Sequence, residues 1–155
     1  MIGIKHLAYS ERKLSDAVLD GLFGGLAGGL AMAAYLVAWG LIAETRPGVV
    51  LGLFDPSERG TALTGVLTHL AVASVYGIVF GLIWWVLRRG LRLGVPTWLA
   101  GAVYGLALLL VAQAAVLPAA NSPLAAIPTL HFAIAHIIYG IVLGSISEQI
   151  AARSV

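Results

Sequence analysis

At 155 residues the chain has the length of one domain, yet only 10% of it is charged, 60% is hydrophobic and its mean hydropathy is +0.97. A water-soluble domain carries charge on about a quarter of its residues, so these proportions exclude a soluble globular protein and give the surface to lipid. The net charge of +2 comes from a few residues between apolar runs, which gives no basis for nucleic-acid binding; the absence of cysteine excludes disulfides, thiolate metal sites, iron–sulfur clusters and covalently attached c-type haem.

Residues 1–20 form a mixed arm, with Lys5, Arg12 and Lys13 as its positive charges and sparse apolar residues suited to the membrane surface. Ala31-Met32-Ala33 has the small-x-small form of a signal cleavage site. The apolar run from Gly21 to Ala43 outlasts a signal sequence, however, and matches the ~20 residues that span a bilayer. It is read as a retained first helix, about 21–43. Its glycines Gly24 and Gly28 stand at the small-xxx-small spacing that lets helix backbones approach in lipid.

Pro47-Gly48 opens an exterior loop, and Val49 to Phe54 is too short to cross, so it is expected to dip into the interface. Asp55-Pro56-Ser57-Glu58 has the form of a helix start, with Asp at the N-cap, Pro at N1 and Glu at N3. The second helix is therefore predicted at about 56–88. Arg88, Arg89 and Arg92 make a short basic turn ending at Pro96. No Lys, Arg, Asp or Glu occurs between Leu93 and Ser147, a span divided by Pro118, Pro123 and Pro128. The third and fourth helices follow at about 96–117 and 128–149, with Pro128 as their boundary or as a kink.

The expected fold is thus an all-α integral membrane domain over 1–155, with four transmembrane helices. Lys5, Arg12, Lys13, Arg88, Arg89, Arg92 and Arg153 fall on one side of it, and Arg46 and Arg59 on the other. The excess of basic residues marks the cytoplasmic side, so both termini are predicted inside a bacterial cytoplasmic (inner) membrane. Trp84, Trp85 and Trp98 then lie near the inner interface and Trp39 near the outer one.

The second and fourth helices share Tyr-Gly-Ile-Val at Tyr76 and Tyr139, followed by Gly81 and Gly144. The first and third align more weakly, Gly24 with Gly101 and Gly28 with Gly105. This predicts two parallel-repeat helical hairpins, about 17–88 and 94–150. The pattern resembles small uncharacterised bacterial inner-membrane proteins with four helices and His…Tyr-Gly…Gly signatures in helices two and four. That resemblance implies a fold and no activity.

Gly65, His69, Ala73, Gly77 and Gly81 recur every fourth residue in the second helix, as do Phe132, His136, Gly140, Gly144 and Glu148 in the fourth. Gly24, Gly28, Gly65, Gly77, Gly81, Gly101, Gly105, Gly140 and Gly144 are the expected helix-packing positions. His69 and His136 are each set roughly 12 Å below the outer surface by helical rise. Two histidines at one depth make a bis-histidine b-haem geometrically possible, while the plainer reading has each imidazole hydrogen-bonded to a neighbouring helix. The gapless alignment places His69 opposite Phe132 and Ala73 opposite His136, so the two are not repeat equivalents. His131 is read as an interface residue and Gln113 as an interhelical hydrogen-bonder.

No catalytic residue set and no metal site is visible, and no carboxylate is expected buried within the spans. The leading reading is a non-enzymatic accessory or scaffold subunit without a cofactor, associating through its glycine ridges with itself or with a larger membrane complex. The alternatives are a b-type cytochrome liganding haem b through His69 and His136, and a small oligomeric channel or transporter.

Overall fold

The computed structural model describes residues 13–57, 60–90 and 94–153. Lys5, Arg12, Glu58, Arg59 and Arg92, on which part of the charge and capping argument rests, lie outside them. The fold is all-α, with no strand among the described residues. Four spans, Leu14–Ile42, Ala62–Gly90, Thr97–Ala120 and Thr129–Arg153, are long and apolar enough to cross a membrane. Large apolar side chains cover the outside, Leu110 being 68% and Leu63 73% exposed. This is the surface of an integral membrane protein, where lipid takes the place of water.

The first span, α1 (Leu14–Ile42), starts earlier than the apolar run implies. Asp16, in its first turn, accepts a hydrogen bond from the Lys13 N–H at 3.0 Å, satisfying a donor that the helix leaves unpaired. Asp20 is buried inside the helix, which corrects the expectation that no carboxylate is buried within the spans. The helix ends with Glu44 at φ +57°, Thr45 N–H donating to Gly40 O and Glu44 N–H to Leu41 O. That is the Schellman arrangement, with glutamate in the left-handed position that glycine usually takes.

After α1 the chain folds back. The short α2 (Pro47–Gly52) buries Val50 against Gly40, and Phe54 follows it inward. Asp55 does not start a helix, which corrects the predicted boundary. Its carboxylate accepts from Ser57 N–H and Thr61 N–H, both at 2.8 Å, and so closes a loop instead. These hydrogen bonds hold the Asp55 carboxyl below the ordinary carboxylate range. The cap of α3 (Ala62–Gly90) is Thr61, whose hydroxyl oxygen accepts from Thr64 N–H.

The third span begins as α4 (Thr97–Val111), passes through a π-helical segment at Ala112–Val116 and ends in α5 (Leu117–Ala120). Pro118 accounts for the π turn: its ring would clash with the carbonyl four residues back, and the wider turn relieves that clash. Gln113 lies within this segment. Asn121, at φ +50°, ends the span. A 3₁₀ turn at Pro123–Ala126 leads to α6 (Thr129–Arg153), so Pro128 precedes the helix and does not kink it.

Packing joins α1 to α3, α4 to α6, and α1 to α6. At the end of the α1–α6 contact nearer the chain termini, Ser147 Oγ donates to Asp20 O at 3.1 Å. Arg88 ties the end of α3 to the start of α4, donating to Val95 O and to Thr97 Oγ1. Trp84 is buried beneath Arg88 and does not face lipid as a belt residue would. Trp98 is 45% exposed.

Candidate functional site

The glycines decide how close the helices come. A Cβ added at Gly77 would run into Gly21 O, and one at Gly81 into Ala17 O, so α1 and α3 meet backbone to backbone. In α4 and α6 the same is true of Gly140 against Gly101 O, Gly105 against His136 O and Gly144 against Thr97 O. Gly24 and Gly28 point elsewhere, towards α6: a Cβ there would lie 2.8 Å from Leu143 O and 2.8 Å from Tyr139 O respectively. Gly65 abuts Leu51 O of α2. All nine glycines singled out from the sequence therefore stand at contacts within the chain.

These contacts set the two helix pairs in register. Ala17, Gly21 and Gly25 face α3 as Thr97, Gly101 and Gly105 face α6. In this register Gly24 and Gly28 of α1 correspond to Tyr104 and Leu108 of α4. The consequence is an asymmetry. Two glycines let α1 close onto α6, whereas a tyrosine and a leucine hold α4 away from α3, and α3 and α4 do not pack backbone to backbone. Tyr104 bridges the gap, donating its hydroxyl to Tyr76 O at 2.8 Å and setting its ring against Phe80.

On the side of that bridge away from the chain termini lies a cavity of about 200 Å³. Its α3 wall carries Thr68, His69, Val72, Ala73 and Tyr76; the facing wall carries Leu108 of α4 and continues through Ala112 and Val116 of the π segment to Leu117. Phe132, His136 and Tyr139 of α6 form the back. Tyr139 donates its hydroxyl to Ala73 O at 2.8 Å, fastening α6 to α3 at the end of the cavity nearer the chain termini. Val72 and Val116 remain 46% and 45% exposed, so the cavity opens sideways, between α3 and α4, into the lipid.

Both candidate histidines line this cavity. His69 Nε2 lies 2.9 Å from Gly29 O, and its ring packs on Phe54 with centroids 4.3 Å apart. His136 Nδ1 lies 2.8 Å from Phe132 O, one turn back on its own helix, with the Phe132 ring edge-on. Each imidazole is thus an N–H donor to a backbone carbonyl through one nitrogen, and the two rings use different nitrogens. His131 lies apart from the cavity, hydrogen-bonded to Tyr35 Oη at 2.9 Å and stacked on Trp39. Among the described residues, no group of three or more His, Asp or Glu is placed to hold a metal ion.

Sequence reasoning did not single out Tyr76, Tyr139, Phe54 or the π segment as cavity walls. A signal existed in Pro118, which forces the π turn, and in Tyr104 and Leu108, bulky residues on the face where α1 carries glycine. Comparison with curated proteins and with solved structures finds no match. Residues 15–155 match the Family of unknown function (DUF6789), and the chain belongs to that family.

Proposed function

We propose that the protein is a non-enzymatic membrane subunit that binds a lipid-soluble small molecule in the cavity between α3 and α4. One observation carries this reading: three helix pairs are closed tightly, and the fourth is held open in the outer half of the bundle, beside two buried histidines. Natural ligand sites are concave, mostly apolar and supplied with a few convergent polar groups. Because the glycine ridges are used within the chain, self-association or assembly into a larger complex falls to the exposed apolar side chains, Leu63 and Leu110 among them.

An internal duplication accounts for the matching glycine contacts of the two helix pairs. A bacterial cytoplasmic membrane with both termini inside accords with Lys13, Arg88, Arg89 and Arg153 at one end of the bundle and Arg46 at the other. The b-type cytochrome reading draws on the two histidines sharing one cavity. Against it, His69 commits Nε2 to Gly29 O, and a porphyrin macrocycle exceeds a space of about 200 Å³. A Soret band in protein purified from haem-sufficient cells, lost in His69→Gln or His136→Gln, would favour the cytochrome over our reading.

The binding reading is tested with naphthalene, a rigid apolar probe, added to purified protein in mild detergent. The parent should melt higher with the probe, whereas Ala112→Phe and, independently, Thr68→Phe, which fill the cavity, should respond little. Saturation a hundredfold above Kd stabilises by about 2.7 kcal/mol. Equal responses in the parent and both filled variants would show that the probe binds elsewhere and would overturn the reading.

A further inference from the structure

The hydrogen bonds of the two histidines restrict what the cavity can hold, and this step rests on the binding function proposed above. A carbonyl oxygen only accepts, so the nitrogens facing Gly29 O and Phe132 O carry hydrogen. A neutral imidazole that donates through one nitrogen accepts through the other. His69 therefore keeps Nδ1, and His136 keeps Nε2, as lone-pair acceptors. Tyr139 is fixed in the same sense, because its hydrogen is spent on Ala73 O and its oxygen keeps acceptor capacity only. All three side chains are more than nine-tenths buried, the histidines being 9% and 8% exposed and Tyr139 3%. Acceptors at an apolar site gain most from a guest that brings the missing hydrogen.

Size fixes the second property. An apolar cavity of about 150 Å³ takes benzene, and complete drug-sized ligands fill about 300 Å³ or more. At about 200 Å³, this cavity accommodates a ring or a branched hydrocarbon end, not a whole lipid. Its rim is apolar and open to the bilayer at Val72 and Val116, so a hydrocarbon tail can leave between α3 and α4 without crossing a polar surface.

We infer that the cavity between α3 and α4 receives the hydroxyl head of a lipophilic alcohol or phenol, whose one hydrogen is accepted at His69 Nδ1 or His136 Nε2 while its tail lies in the lipid. The pair 1-naphthol and 1-methoxynaphthalene isolates this feature, since the two share a ring system and only the first donates. Binding of each to the full-length protein is measured by thermal shift and by equilibrium dialysis, at equal mole fraction in the detergent phase. The naphthol should bind roughly fivefold more tightly, the ratio that one net hydrogen bond supplies. The preference should shrink towards unity in His136→Phe or in His69→Phe, whichever removes the acceptor, and a preference kept in both would overturn the assignment. The comparison within the parent stands even if a variant does not fold. Equal binding of the two probes, or tighter binding of the ether, would overturn the donor-head assignment and leave the cavity function intact. Binding of neither probe, nor of naphthalene, would overturn both.

Discussion

Replacing Gly140 by alanine places a methyl group where α4 and α6 meet backbone to backbone. The new Cβ would overlap Gly101 O and lie 2.7 Å from Gly101 C and 3.1 Å from Ala102 Cα. Carbon atoms in contact need about 3.5–4.0 Å, so the helices must part by about 1 Å. No side chain can rotate away, because every obstructing atom is backbone. Overpacking of this kind costs about 1–3 kcal/mol, and backbone on both sides argues for the upper end. Alanine returns about 1 kcal/mol through its higher helix propensity, leaving a net loss of about 2 kcal/mol. Gly90, with nothing within 4 Å of an added Cβ, is the control; there Gly90→Ala should be neutral or gain up to about 1 kcal/mol. Thermal or denaturant unfolding in mild detergent measures the difference between the variants, about 3 kcal/mol by this arithmetic. Gly140→Leu should be worse than Gly140→Ala. A Gly140→Ala variant that unfolds like Gly90→Ala would refute the claim that this glycine sets the distance between the helices.

Glu44→Gly should stabilise by about 1 kcal/mol, since glycine removes the cost of a left-handed φ; an unchanged unfolding midpoint would contradict this. Tyr139→Phe should cost about 0.5–1.5 kcal/mol by removing the hydroxyl bond to Ala73 O, and should loosen the end of the cavity nearer the chain termini, read as weaker naphthalene binding. Asp55→Asn should destabilise the α2–α3 loop at neutral pH. Because the Asp55 carboxyl titrates below its ordinary value near 3.8 when folded, its contribution is complete above that pH and is lost as the pH falls through the lower folded value. The gap between parent and Asp55→Asn should accordingly close in strong acid, as followed by thermal unfolding across a pH series. Single cysteines at Ser57 and Ser122 should react with an impermeant thiol reagent from outside intact cells, while one at Ser15 should not; the reverse pattern would invert the topology.

The four spans could be read directly, because a bilayer demands long apolar runs and few sequences meet that demand by accident. The errors fell where a polar residue serves the interior. Asp20 looked like the edge of the first span, yet it is buried and its carbonyl accepts from Ser147. Asp55-Pro56 looked like a helix start because the capping pattern is local, whereas its carboxylate reaches on to Thr61 and closes a loop. Helical rise gives His69 and His136 one expected depth, but it does not show that they line one cavity. The cavity they share opens where α4 stands off from α3, and that follows from Tyr104 and Leu108 occupying the register of Gly24 and Gly28. The sequence alignment of Gly24 with Gly101 pairs two residues that face different neighbours: Gly24 abuts Leu143 and Gly101 abuts Gly140.

The most direct test is to crystallise the protein in a lipidic phase with 4-bromo-1-naphthol and to locate the bromine by its anomalous scattering. We predict one strong peak in the opening between α3 and α4, with the naphthol oxygen within hydrogen-bond reach of His69 Nδ1 or His136 Nε2. A bromine peak elsewhere on the bundle, or α3 and α4 found packed together with no space between them, would contradict the account.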